Sequence, residues 1–240
     1  MVDIKLAGIP IRLNNRYTDV ALLCRGYETE EPARLTVTVS TEEIEAERRS
    51  QSYAFSEGYL ESVCLYRKLS LELLQFDVFI LHASVVAVDG AGYAFLAASG
   101  TGKTTQTRLW LEHFGSRARV INGDKPLVRR MADGSFVAYG TPWCGKEGMG
   151  CNDCVPLKTL FLVERAAQPG CESAAEEECV DRLFHQLLMP EHPEQMDRLL
   201  TLADGLVETV PAYILRCNME PESVQTAYTA ASGGTLEEIR

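Results

Sequence analysis

The 240-residue sequence predicts an α/β fold: a mixed sheet carrying a glycine-rich strand–loop–helix unit fed by an antiparallel hairpin, with a small N-terminal α+β layer before it. Three observations predict it. Residues Ala94–Gln106 read AFLAASGTGKTTQ, in which a short apolar strand (Tyr93–Leu96) runs into glycines and then at once into a helical pattern. Just upstream, Phe79–Val88 (FILHASVVAV) reads as a strand that Asp89-Gly90 turns back as a hairpin. Downstream, strand-like and helix-like stretches follow one another to the end of the chain.

Taken in order, Ile4–Leu13 and Arg34–Val39 alternate as strands. Thr41-Glu42-Glu43 opens a helical stretch, and Glu57–Gln75 is a longer amphipathic helix with Leu60, Cys64, Tyr66, Leu69 and Leu73 near helical spacing. After the central unit, Arg119–Ile121 is a strand leading into Asn122-Gly123-Asp124-Lys125-Pro126. A second hairpin joins Leu127–Met131 to Ser135–Tyr139 through Ala132-Asp133-Gly134. It opens into the glycine-rich loop Gly140–Gly150, which carries Trp143, Lys146 and Glu147. Leu157–Val163 is a buried strand, Ser173–Leu188 and Glu194–Leu206 are helices, Val210–Cys217 is a last strand and Pro221–Ala231 a closing helix. Residues 1–78 are thus expected to form the N-terminal layer, 79–231 the central domain and 232–240 a polar, frayed tail. No linker marks a clean boundary between the first two.

Composition bounds the function. A chain of this length buries a sizeable core, and 46% hydrophobic with 24% charged residues is ordinary for a globular protein. A net charge of -11 argues against nucleic-acid and anionic-membrane surfaces as partners. The longest apolar run, around Val78–Val88, is interrupted by His82 and too short to span a bilayer. No basic stretch followed by a long apolar core stands at the N-terminus, so a cytoplasmic location is expected. The eight cysteines are scattered and read as reduced thiols. Cys144, Cys151 and Cys154 include one C-x-x-C pair, a weak zinc signal without a neighbouring histidine, and are read as loop thiols.

The chemistry concentrates at Ser99-Gly100-Thr101-Gly102-Lys103-Thr104-Thr105. Glycines let consecutive backbone N–H groups curl around an anion, and the helix that follows points its positive end at the same place. Lys103 is expected to reach terminal phosphates and the Thr104 hydroxyl to ligate Mg²⁺, with ATP as the bound nucleotide. Ala97 stands where the usual pattern has its first glycine. Asp124, at a strand end about twenty positions past Lys103, suits a second Mg²⁺ ligand or a base. Lys146 is expected to face developing phosphoryl charge while Trp143 shapes the pocket. His113, His185 and His192 receive no role. No serine lies in a G-x-S-x-G elbow, which disfavours a Ser-His-Asp hydrolase.

At these residues the chain resembles a known family. Ser-Gly-Thr-Gly-Lys-Thr-Thr after a hairpin is similar to the phosphate loop of ATP-dependent phosphoenolpyruvate carboxykinase. The short chain, with His82 upstream and Asp124 downstream, resembles HPr kinase/phosphorylase and its small bacterial kinase relatives more. The resemblance covers Leu81–Val128 and, more loosely, the chain up to about Ala230, and nothing before Ile80. It implies the carboxykinase/HPr-kinase type of mixed sheet, a catalytic His82 near the transferred phosphate, and a seryl or threonyl hydroxyl of a small protein or peptide as acceptor. Where that family has two adjacent aspartates, this chain has Asp124 and Lys125, which favours the forward kinase reaction over phosphorolysis.

Two other readings remain. A non-catalytic ATP-binding regulator would make Lys125 a mark of lost chemistry. A carboxykinase-like or small-metabolite kinase is disfavoured by the short chain and the absence of a recognisable second-metal or carboxylate-binding set. The Gly140–Gly150 loop has a composition suited to admitting a polypeptide, and an acidic chain suits a partner with a basic or neutral face.

Overall fold

In the computed structural model, which describes residues 1–233, the chain begins with β1 (Val2–Leu6) and β2 (Ile9–Leu13). These pair antiparallel across Ala7 and Gly8, both at positive φ. The single strand expected over Ile4–Leu13 is therefore a hairpin. An alanine in the left-handed region is an uncommon turn residue, so the pattern reads through it. The chain then crosses over through α1 (Thr18–Leu23), which no sequence signal marked, to β3 (Leu35–Val37), parallel to β2. Helices α2 (Thr41–Ser50) and α3 (Glu57–Glu72) complete the layer. Ser40 caps α2 in a reciprocal box with Glu43. Gly58 lets α1 lie close on α3, since a Cβ there would sit 2.3 Å from Asp19 Cγ. The buried Glu61 carboxylate accepts from the N–H groups of Arg16 and Tyr17, which fixes the chain entering α1.

The main sheet contains β4 (Val78–Ile80), β5 (Ala83–Val88), β6 (Ala91–Leu96), β7 (Ala118–Asn122), β8 (Leu127–Arg130), β9 (Phe136–Tyr139), β10 (Cys154–Arg165), β11 (Gly170–Ser173) and β12 (Ala212–Cys217). Its main path runs β4-β8-β9-β10-β6-β5-β7, with β12 also parallel to β10 and β11 antiparallel to β12. The twelve-residue β10 is the joint. Its start pairs antiparallel with β9, and its later residues pair parallel with β6 and β12, so the mixed sheet curls. Gly92 is needed at that joint, because a Cβ there would meet Pro156 O at 2.9 Å.

Both faces of β5 and β6 are covered, which is why they read as continuous apolar runs. Val85, Ala94 and Leu96 face a core closed by α5 (Glu176–Phe184) and α6 (Pro193–Thr209), through Leu183, Leu199 and Leu206. Val86, Tyr93 and Phe95 face the other way, into an aromatic core closed by α4 (Lys103–Phe114) and α7 (Glu222–Ser232) around fully buried Trp110. A third core fills the N-terminal layer and includes Val78 and Leu127 of the main sheet.

Two further expectations are corrected here. Phe79–Val88 is not one strand: β4 pairs with β8 while β5 pairs with β6 and β7, and the chain bends at Leu81–His82. Backbone bonds from Leu81, His82 and Ala83 to Pro126, Gln186 and Asp124 stabilise that bend, all of them distant in sequence. Ser173–Leu188 is not one helix either. Its first residue ends β11, and the helix spans only Glu176–Phe184. The polar tail expected from Ser232 lies, from residue 234 onward, outside the described residues. Among the described residues no helix is long and apolar enough to cross a membrane.

Candidate functional site

The β5–β6 hairpin turns on Asp89 and Gly90, both at positive φ, and delivers the chain at Leu96 to the loop 97–102. Gly100 and Gly102 take φ of 78° and 137°, values that side-chain-bearing residues rarely adopt. Gly102 is the N-cap of α4 and supplies no side-chain cap, so the first amides of the helix are left for another acceptor. The loop is fastened from outside. Arg165 at the end of β10 donates to the carbonyls of Gly100 and Thr101. Lys103 Nζ donates to Ala97 O at 2.6 Å, joining the two ends of the loop. Burial lowers the Lys103 pKa, and the charge of Asp124 opposes that shift.

Opposite the loop, β7 ends at Asn122, a fully buried amide to which sequence reasoning gave no role. Its Oδ1 accepts from the N–H groups of Asp124 and Lys125, and its Nδ2 donates to Thr141 Oγ1. Asn122 therefore sets the direction in which Asp124 leaves the strand. Asp124 Oδ1 stands 3.3 Å from His82 Nε2, at the bend between β4 and β5. Burial pushes the Asp124 carboxyl up, but the His82 hydrogen bond and the charges of Lys125, His82 and Lys103 together hold it below its ordinary value of 3.8. Lys125 Nζ is 4.0 Å from the other carboxylate oxygen.

One cavity of about 420 Å³ gathers most of the sequence-derived candidates. Ser99, Gly100, Gly102, Lys103, Thr104 and Thr105 line one side, and His82, Asp124, Lys146 and Glu147 are among the residues that line the rest. The Gly140–Gly150 loop folds over it, held by the bond from Gly123 N to Met149 O and by the ion pair of Arg108 on α4 with Glu147. Thr101 lies elsewhere, in a neighbouring groove of about 490 Å³ with Arg165, Asn218 and Met219 that Gly102 and Thr105 also border. Trp143 does not line the loop-side cavity. It stacks on Tyr66 of α3, with ring centroids 4.3 Å apart, and faces a different cavity.

No protein-family model matches the chain, and no curated protein matches it in sequence. Among solved structures it is similar to the HPr(Ser) kinase/phosphatase from Coxiella burnetii, at 12% identity and a TM-score of 0.30, over 51% of this chain and 86% of that one. A likeness at this level says nothing about activity.

Burial raises Cys144, Cys151 and Cys154, which keeps them protonated. Among the described residues no group of three or more His, Cys, Asp or Glu side chains is arranged to hold a metal ion.

Proposed function

We propose that this chain is an ATP-dependent kinase that transfers the γ-phosphoryl group to a seryl or threonyl hydroxyl of a small protein or peptide. The observation that carries this reading is the meeting of Lys103 and the His82–Asp124 pair in one cavity, at the loop where α4 begins. Phosphoryl transfer needs little covalent help from a protein; it needs positioned charge. The Ser99–Gly102 amides and the free end of α4 hold the β-phosphate, and Lys103 neutralises the terminal oxygens. Lys146, which has no ion-pair partner among the described residues, faces the charge that develops on the transferring group. The groove bordered by Arg165, Asn218 and Met219 takes the nucleoside.

Thr104 and Asp124 are hard oxygen donors of the kind that Mg²⁺ accepts beside phosphate oxygens and water, so the residues present fit that ion, which would offset negative charge on the phosphates. A carboxylate held below its ordinary pKa is a good ligand and a weak base. The acceptor proton is therefore assigned to His82. With Nε2 turned to Asp124, Nδ1 is left to receive it, and the carboxylate stabilises the imidazolium that results. Eight free cysteines fit a reducing, cytoplasmic setting.

One observation favours a second reading, ATP binding without transfer: the Lys125 ammonium stands beside Asp124 where a second carboxylate would strengthen metal binding. Labelled ATP incubated with a desalted protein extract, and separately with the small-molecule fraction, decides between them. Label on a polypeptide is the expected result. Label confined to small molecules refutes the protein acceptor, and ATP binding with no transfer supports the regulator.

A further inference from the structure

A second cavity of about 280 Å³ adjoins the first, and His82 lines both. Beside His82, Lys125 and Trp143, its walls come from α3, Ile80 and the segment 185–188, which carry no recognisable motif. Val63, Tyr66 and Arg67 of α3 face Trp143, and the segment His185–Leu188 closes it. The aromatic wall is rigid: the Tyr66 hydroxyl donates to Lys125 O at 2.6 Å, and Trp143 Nε1 donates to Ser62 O at 3.2 Å. The closing segment is fixed against the site by the bond from His82 N to Gln186 O at 2.8 Å. Gln186 Oε1 is buried there with no hydrogen-bond partner among the described residues, an arrangement that costs free energy unless a donor arrives.

The charge of this cavity opposes that of the chain. The cations Arg67 and Lys125 line it with the imidazoles of His82 and His185, and no Asp or Glu is among its lining residues. Arg67 is neutralised by Glu47 at 2.7 Å, whereas the nearest ion-pair partner of Lys125 among the described residues is Asp124, at 4.0 Å. Lys125 is therefore the cation available to a ligand, and the aromatic and aliphatic walls suit an apolar remainder.

On the kinase reading above, we propose that this cavity is the acceptor site and that it selects a hydroxyl carried beside a carboxylate, either an acidic residue next to a serine or threonine in a peptide or a free hydroxy acid. The hydroxyl then meets His82 from the side opposite the Ser99–Gly102 loop. The acceptor oxygen forms a bond to the γ-phosphorus of ATP, the bond from that phosphorus to the β,γ-bridging oxygen breaks, ADP leaves with the electron pair, and the hydroxyl proton passes to His82.

The test uses the full chain, labelled ATP and three octapeptides with one central serine flanked by Glu, Gln or Lys, together with free L-serine and glycerate. The Glu-flanked peptide is expected to be labelled at least ten times more efficiently than the Lys-flanked one. Lys125→Glu is expected to invert that order, raising KM for the acidic peptide far more than KM for ATP. Label on the hydroxy acids in place of the peptides assigns the same chemistry to a metabolite. Quenching of Trp143 fluorescence by the Glu-flanked peptide, lost in Trp143→Phe, reads occupancy without catalysis. Equal labelling of all three peptides, or an order that Lys125→Glu leaves unchanged, overturns the acceptor assignment and leaves the kinase reading intact. Peptide binding without transfer to any probe overturns the acceptor assignment and leaves the kinase reading to the extract experiment. Neither binding nor transfer overturns the acceptor assignment, the extract experiment then deciding the kinase reading.

Discussion

Burying the Lys103 ammonium beside its loop lowers its pKa, with the charge of Asp124 acting the other way. A lysine depressed on folding costs stability at pH values where both states are charged, because water holds the charge better than the protein does. Lys103→Met is accordingly expected to weaken Mg-ATP binding by about 1.5–3 kcal/mol without lowering the melting temperature. Calorimetry and a thermal melt check the two halves, and a melt several degrees lower would mean that the bond to Ala97 O outweighs the buried charge. Asp124 has the opposite sign. Its folded pKa lies below 3.8, so its contribution to stability is complete above that value and is lost as pH falls through the lower, folded value. Asp124→Asn is expected to remove this acid-side dependence from the stability curve, and to slow transfer by about 100-fold or more. Stopped assays of transfer and acid titrations of unfolding measure both.

Arg165 and Trp110 act through elements. Arg165 holds the outer carbonyls of the loop, so Arg165→Ala is expected to loosen it and weaken ATP binding by about 1–1.5 kcal/mol while circular dichroism stays unchanged. Trp110 fastens α4 to β6 and α7 through contacts with Tyr93, Phe95 and Tyr228. Trp110→Ala is expected to cost about 3–5 kcal/mol in urea unfolding. These elements also show which signals a sequence carries. Asp89-Gly90 announces its hairpin because both residues tolerate positive φ; Ala7-Gly8 makes the same turn with a residue that does not advertise it. Helix α1, six residues long with a single buried residue, has too little periodicity to be read.

Across the molecule, the N-terminal layer and the main sheet are not separable by packing. Val78 and Leu127 belong to the core of the layer, and Tyr66 and Ser62 of α3 bond the segments carrying Asp124 and Trp143. The full chain is expected to unfold in one transition, seen alike by far-ultraviolet circular dichroism and tryptophan fluorescence, and residues 77–240 alone are expected not to fold cooperatively. Two separated transitions would show independent domains.

The sequence alone determined what a few consecutive residues can encode: the glycine-rich turn with its lysine and threonine, the Asp-Gly hairpin, the apolar character of β5 and β6, and an acidic residue just past the end of β7. Tertiary structure decided which of these meet. His82 reaches Asp124 only because the backbone at 81–83 bonds to residues more than forty positions away, which breaks an apolar run that reads locally as one strand. Trp143 turns from the loop-side cavity to Tyr66, 77 positions earlier, because the space beside α3 fits it and its indole N–H finds Ser62 O there. Strand, turn and helix signals lie in dihedral preference and hydrophobic period over a few residues, whereas contacts between distant segments follow from shape and unpaired polar groups that exist only once the layers have met.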